Sequence, residues 1–144
     1  MKTKQLKVID SSVTVKWLNR QNENYTTQAD KILKEVQKGK ILLLQPELAK
    51  YEIANALLHK QMSLQNTMGS LSAYYSIPVQ FVSQNEKQAQ ETIKIAYENN
   101  MTFYDAAFVA VAKEYNAPLL TDNPKHQKKT IDGVKIIDLK DYGK

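Results

Sequence analysis

Residues 6–17 read Leu6-Lys7-Val8-Ile9-Asp10-Ser11-Ser12-Val13-Thr14-Val15-Lys16-Trp17, and the reading of this stretch decides the fold. Leu6 to Asp10 is a short apolar run of the kind that forms a strand buried on both faces, ending at an acid. Ser11 and Ser12 follow at once, and their hydroxyls suit the cap of a short helix reaching about Arg20. A strand that passes directly into a helix is the opening unit of an alternating α/β fold.

The pattern repeats outward. Gln21-Asn22-Glu23-Asn24 is a polar break, after which Tyr25 to Lys38 recovers helical spacing through Ala29, Ile32, Leu33 and Val36 until Gly39 stops it. Ile41-Leu42-Leu43-Leu44 is a second buried strand, and Pro46 is placed for the first turn of a helix running to about Gln61. Leu64 to Tyr75 predicts a shorter helix, interrupted or bent near Gly69. Val79 to Val82 alternates as a third strand, and Gln84 to Asn99 predicts a helix with Ala89, Ile93, Ala96 and Tyr97 as its inner stripe. Tyr104 to Tyr115 is the most apolar helix; Leu119 to Thr121 is a fourth strand, and Val134 to Ile137 a last, edge strand. The expectation is a three-layer α/β sandwich: a mostly parallel four- to five-stranded sheet flanked by helices, with residues 1–144 forming one domain.

Composition narrows the function. The chain has 144 residues, 42% hydrophobic and 24% charged, which is the make-up of a globule of one domain. Its formal net charge of +5 rests on lysine, since Arg20 is the sole arginine, and permits contact with nucleic acid. With no cysteine, disulfides, thiolate zinc sites and a cysteine nucleophile are excluded. The basic start Met1 to Lys7 leads into too few apolar residues for a signal peptide, and no run is long enough to span a bilayer. A cytoplasmic location and no membrane partner are the expectation.

In parallel α/β sheets ligands bind beyond the carboxyl ends of the strands. Asp10 stands at the end of the first strand, and Asp122 and Asn123 at the end of the fourth. Glu52, in Tyr51-Glu52-Ile53, and Asp105, in Tyr104-Asp105-Ala106, lie on helices that follow other strands. If the fold gathers Asp10, Glu52, Asp105 and the Asp122/Asn123 pair, the result is a set of hard oxygen donors for Mg2+ or Mn2+, the chemistry of phosphodiester hydrolysis. Each residue also has a plainer reading. Asp10 could cap the first helix, and Glu52 could sit at a solvent edge if the buried stripe runs through Tyr51, Ala54 and Leu58. Asp105 could answer a helix dipole, and Asp122-Asn123-Pro124 could be an Asx turn. Lys125, Lys128 and Lys129 follow the fourth strand, where a phosphate backbone would approach; solvated loop lysines are the alternative. His59 and His126 lack metal-ligand spacing.

Taken from Lys7 to about Tyr142, the chain resembles the PIN domain family, and within it the toxin ribonucleases of VapBC toxin–antitoxin pairs. Val8 to Trp17 is similar to the family's first acidic motif, with Asp10 as the metal-binding acid and Ser12 as its small polar neighbour. Pro46 to Leu57 resembles the second motif, with Glu52 as its acid, and Tyr104 to Ala112 the third, with Asp105. The fourth motif, usually Thr-any-Asp, reads Thr121-Asp122-Asn123, so Asn123 stands where the acid is expected and Asp122 one place early. The resemblance implies a metal-dependent endoribonuclease in which Asp10, Glu52 and Asp105 hold Mg2+ or Mn2+ with help from Asp122 or Asn123, while Thr121 and Ser12 orient ligands. It also implies an RNA substrate, a small antitoxin partner and a homodimer, with Trp17 and Tyr25 as candidate partner surface. The alternative, suggested by Asn123, is a degenerate PIN domain that binds RNA or protein without catalysis.

Overall fold

The computed structural model describes residues 3–123 and 129–144. Its strands are β1 (Gln5–Ile9), β2 (Ile41–Pro46), β3 (Val79–Val82), β4 (Leu119–Thr121), β5 (Thr130–Ile131) and β6 (Val134–Asp138). Its helices are α1 (Ser11–Leu18), α2 (Thr26–Gln37), α3 (Ala49–Leu58), α4 (Leu64–Ser76), α5 (Glu86–Asn99) and α6 (Phe103–Glu114). The strands form a sheet of order β3-β2-β1-β4-β6-β5, parallel throughout except where β5 pairs antiparallel with β6.

The three-layer architecture follows from period-two burial along the strands. Val8, Leu44, Leu119 and Ile136 face a core shared with α3, α5 and α6, including Ile53, Leu57, Ile95, Phe108 and Val109. Ile9, Leu43 and Leu120 face the opposite layer, where Ala29, Ile32 and Val36 of α2 pack. Burying one such Leu or Ile side chain stabilises the fold by about 1.5–3 kcal/mol. The chain passes from β1 to β2 and β3 on one side, then returns to place β4 on the other side of β1. The order therefore reverses at the β1/β4 boundary, which is where open α/β sheets form a binding crevice.

Several expectations are corrected. The sheet has six strands rather than four or five, and β6 is not its edge, because β5 pairs outside it. Pro46 does not open a helix: it is the last residue of β2, in register with Val82, and α3 begins three residues later. A proline is tolerated there because it ends the strand. α4 runs through Gly69 without interruption. The inner stripe of α5 is Thr92 and Ile95, with Ala89 and Ala96 beside it, whereas Ile93 and Tyr97 are exposed. Trp17 is not an open partner surface, since it packs on the α2-side core and its indole Nε1 donates to the Ala29 carbonyl at 2.7 Å. Tyr25 is exposed and sits in the left-handed region ahead of α2. Among the described residues no helix is long and apolar enough to cross a membrane.

Candidate active site

The β1/β4 boundary is closed by a chain of side-chain hydrogen bonds around Asp10. Asp10 occupies the N-cap position of α1, yet its side chain makes no capping bond. Its Oδ2 instead accepts from Thr121 Oγ1 at 2.7 Å and from Ser12 Oγ at 3.2 Å. Thr121 is buried at the end of β4 and its hydroxyl also accepts from the Asn123 backbone N–H at 3.0 Å. The threonine hydroxyl thus holds the backbone as it leaves β4; the Asx-turn reading of Asp122-Asn123-Pro124 reaches outside the described residues. Ser12 Oγ accepts from the Asp122 backbone N–H at 3.1 Å. The two serines do not cap α1 as expected. They point sideways and tie α1 to the ends of β1 and β4 and, through Ser11, to α3.

Glu52 arrives from α3. The buried residues of that helix are Ala49, Ile53 and Leu57, while Tyr51 and Leu58 are 79% and 68% exposed. The stripe through Tyr51, Ala54 and Leu58 therefore faces solvent, and Glu52 lies beside the buried face. Its Oε1 accepts from Ser11 Oγ at 2.9 Å. The carboxyl is pushed above its ordinary pKa, first by burial and then by the charges of Asp10 and Asp105, against the pull of the Ser11 hydrogen bond. Asp105 enters from the first turn of α6, whose cap is Thr102: its Oγ1 accepts from the Asp105 backbone N–H at 3.1 Å. Glu52 on α3 thus lies within electrostatic reach of both Asp10, which follows β1, and Asp105 on α6.

Asp122 is differently placed. Its Oδ2 accepts from Lys16 Nζ at 2.8 Å, and Lys16, only 2% exposed, also donates to Glu23 Oε1 at 2.9 Å. Glu23 Oε2 in turn accepts from Lys60 Nζ at 2.6 Å. Burial alone would lower the Lys16 pKa, but the hydrogen bonds it donates to Asp122 and Glu23 outweigh it and raise the value. Burial likewise pushes Glu23 up, and Lys60 and Lys16 more than reverse it, so its pKa is lowered. Sequence reasoning missed this network. Its one local signal was Lys16 itself, a lysine among Val13, Val15 and Trp17 and one turn from Ser12.

Of the remaining expected residues, Lys129 is exposed and lines an open groove with Asp122, Lys135, Lys140 and Lys144. Lys125, Lys128 and His126 lie outside the described residues. His59 is exposed, with its ring Nδ1 against the Asn55 carbonyl at 2.8 Å.

Among the described residues no group of three or more His, Cys, Asp or Glu side chains is placed so that it could hold a metal ion. The chemistry of the donors nonetheless fits a hard divalent cation. Asp10, Glu52 and Asp105 offer oxygen alone, and Glu52, raised first by burial, also feels the charges of the other two.

The chain matches the family model described as PIN domain over residues 7–131. No curated protein matches it in sequence. Among solved structures it is similar to VapBC2 from Rickettsia felis bound to a DNA fragment from their promoter, with a TM-score of 0.69 and 14% identity, covering 93% of this chain and 98% of that one. It is also similar to PAE2754 from Pyrobaculum aerophilum, with a TM-score of 0.64 and 24% identity over 94% and 90% of the two chains. A third similar structure is Mycobacterium tuberculosis VapC20, a toxin that cleaves the sarcin–ricin loop, with a TM-score of 0.65 and 12% identity over 90% and 98%. At these identities the likenesses speak for the fold.

Proposed function

The chain belongs to the PIN domain family, and from that premise we propose that it is a metal-dependent endoribonuclease acting as the toxin of a toxin–antitoxin pair. What supports the reading is that Asp10 follows β1 at the reversal point of the sheet and that Glu52, raised first by burial, also feels the charges of Asp10 and Asp105. A buried glutamate with two further carboxylates in electrostatic reach suits the binding of Mg2+ or Mn2+.

In this reading Asp10, Glu52 and Asp105 hold the ion. When bound, it supplies a Lewis acid for the scissile phosphate and lowers the pKa of a water. The chain does the positioning. Thr121 and Ser12 donate to Asp10, and Ser11 donates to Glu52, so each of these carboxylates is oriented by a hydroxyl that adds no charge. Lys129, Lys135, Lys140 and Lys144, in the groove shared with Asp122, attract the phosphate backbone. An antitoxin or a second copy of the chain is supported by exposed apolar side chains on α3 and α4: Tyr51, Leu58, Leu64, Met68 and Tyr75.

The test is cleavage of end-labelled single-stranded RNA. Cutting within the strand in Mn2+ or Mg2+, stopped by a chelator and lost in Asp10→Asn, is the expected result. RNA retained intact under every metal condition would overturn the enzyme reading. It would favour the non-catalytic module, to which the replacement of an acid by Asn123 points.

A further inference from the structure

Tyr25 stands at the N-cap of α2, a position usually filled by serine, threonine, aspartate or asparagine, whose side chains accept a hydrogen bond from the first turn. Tyr25 makes no such bond. It also sits in the left-handed region, with φ 57° and ψ 32°, where L residues other than asparagine and aspartate seldom sit. The residue belongs to neither hydrophobic core, and its side chain is 43% exposed. An aromatic ring carried on a strained backbone and left at the surface points to a use outside the fold.

The ring lines an open groove of about 1240 Å³ between the head of α2, β6 and the C-terminal segment. That is more than the roughly 300–1,000 Å³ that suits a small ligand. Among the described residues its lining includes none of Asp10, Glu52 and Asp105. It does include Lys129, Lys135, Lys140 and Lys144, together with Tyr142. Three acids share the groove, and each has a lysine: Asp122 has Lys16 at 2.8 Å, Asp138 has Lys140 at 4.0 Å, and Asp141 has Lys144 at 3.8 Å. The last two pairs join exposed side chains, and such pairs are weak enough to open for a phosphate.

Positive charge gathers along this edge. Lys7, beside the groove on β1, is lowered first by burial and, against the pull of Glu35, further by the charge of Lys135. Of the two rings, Tyr142 is committed to the fold: Lys7 Nζ lies 4.7 Å from its ring centre, and its hydroxyl donates to Glu35 Oε1 at 3.0 Å. Tyr25 is the exposed one. Ammonium groups along a groove with an exposed ring among them are how single-stranded nucleic acid is held, the cations tracking the backbone and the ring stacking on a base. A duplex hides its base faces, and an acidic peptide would need only the lysines.

We propose that Tyr25 is the stacking platform for an unpaired base of a single-stranded RNA whose backbone follows Lys129, Lys135, Lys140 and Lys144. The choice of RNA rests on the ribonuclease reading above, which the inference deepens by naming the side chain that selects unpaired strands.

The experiment is fluorescence anisotropy with a labelled unpaired RNA of roughly 12 nucleotides, in EDTA so that nothing is cut. Wild type binds, more weakly as salt rises. Tyr25→Asn, which suits the left-handed backbone, weakens binding by about tenfold, the loss of one base–aromatic stack, and leaves the salt slope unchanged. Tyr25→Phe keeps the ring and restores wild-type affinity. Lys135→Gln lowers the salt slope by about 0.7, one phosphate contact on a single strand. The same RNA annealed to its complement binds wild type and Tyr25→Asn alike.

Equal affinity of wild type and Tyr25→Asn for the unpaired RNA overturns the inference. An equal loss on the duplex, a glutamate-rich peptide bound as tightly as the RNA, or no RNA bound by wild type does the same. Because the assay contains no metal, its result is separate from cleavage. The expected binding pattern in a protein that never cuts RNA supports the inference and overturns only the enzyme reading; a protein that cuts RNA but is indifferent to Tyr25→Asn overturns the inference alone.

Discussion

Glu52 and Glu23 sit at the same end of the molecule and are shifted in opposite directions. Glu52 is pushed up, because burial and two neighbouring carboxylates outweigh one serine hydroxyl. Glu23 is pulled down, because Lys60 and Lys16 overcome its burial. One glutamate weakens the metal-free fold by ionising and the other strengthens it. The difference teaches that like neighbours and opposite neighbours move a part-buried glutamate in opposite directions: Glu52 feels Asp10 and Asp105, while Glu23 lies between Lys16 and Lys60.

The contrast is best broken by neutralising one group on each side. The largest expected effect is in catalysis: Asp10→Asn lowers RNA cleavage by more than about a hundredfold, beyond the range usual for changes around a metal site, with its thermal unfolding curve intact. Equal cleavage by this variant breaks the acid side of the comparison. On the paired side, Lys16→Met costs roughly 3–5 kcal/mol of stability, as stranding one partner of a buried pair does; urea unfolding measures it, and a cost below about 1 kcal/mol would place Lys16 among surface ion pairs.

Smaller and more diagnostic are the two glutamates themselves. Folded Glu52 binds its proton more tightly than the unfolded chain does, so wild-type stability falls as pH rises through the ordinary carboxylate range and up to the raised folded pKa. Glu52→Gln removes that loss. The metal-free variant should melt above wild type at neutral pH, with the gain vanishing in acid below the ordinary carboxylate pKa. For Glu23 the sign reverses. Its stabilisation is present above the unfolded pKa and is lost as pH falls through the lowered folded value. Glu23→Gln should therefore melt below wild type at neutral pH and converge with it in acid. Two curves of the same sign would erase the distinction. The smallest effect belongs to the exposed face of α5, where Tyr97→Lys, at a side chain 88% exposed, should change stability by no more than about 0.5 kcal/mol.

The layers, and the elements that carry Asp10, Glu52 and Asp105, were legible because they depend on local pattern. Leu6 to Ile9 followed by Asp10 reads as a strand and then a helix start whatever surrounds it. β5 was not legible, because two residues cannot display a period. Ile93 and Tyr97 are four apart and mimic an inner stripe, but α6 packs on the face carrying Thr92 and Ile95, and tertiary contact sets the rotation of the helix. Pro46 resembles a helix start in isolation; only its register with Val82 makes it the end of a strand. The role of Lys16 was hidden for a further reason. Its partners, Glu23 and Asp122, come from a turn and from the end of a distant strand, and nothing near Lys16 in the chain announces either one.

Anomalous diffraction from crystals soaked in Mn2+ tests the central claim most directly. The account predicts manganese bonded to carboxylate oxygens of Asp10, Glu52 and Asp105. A peak centred on Asp122, or none among the three acids at saturating Mn2+, would contradict it.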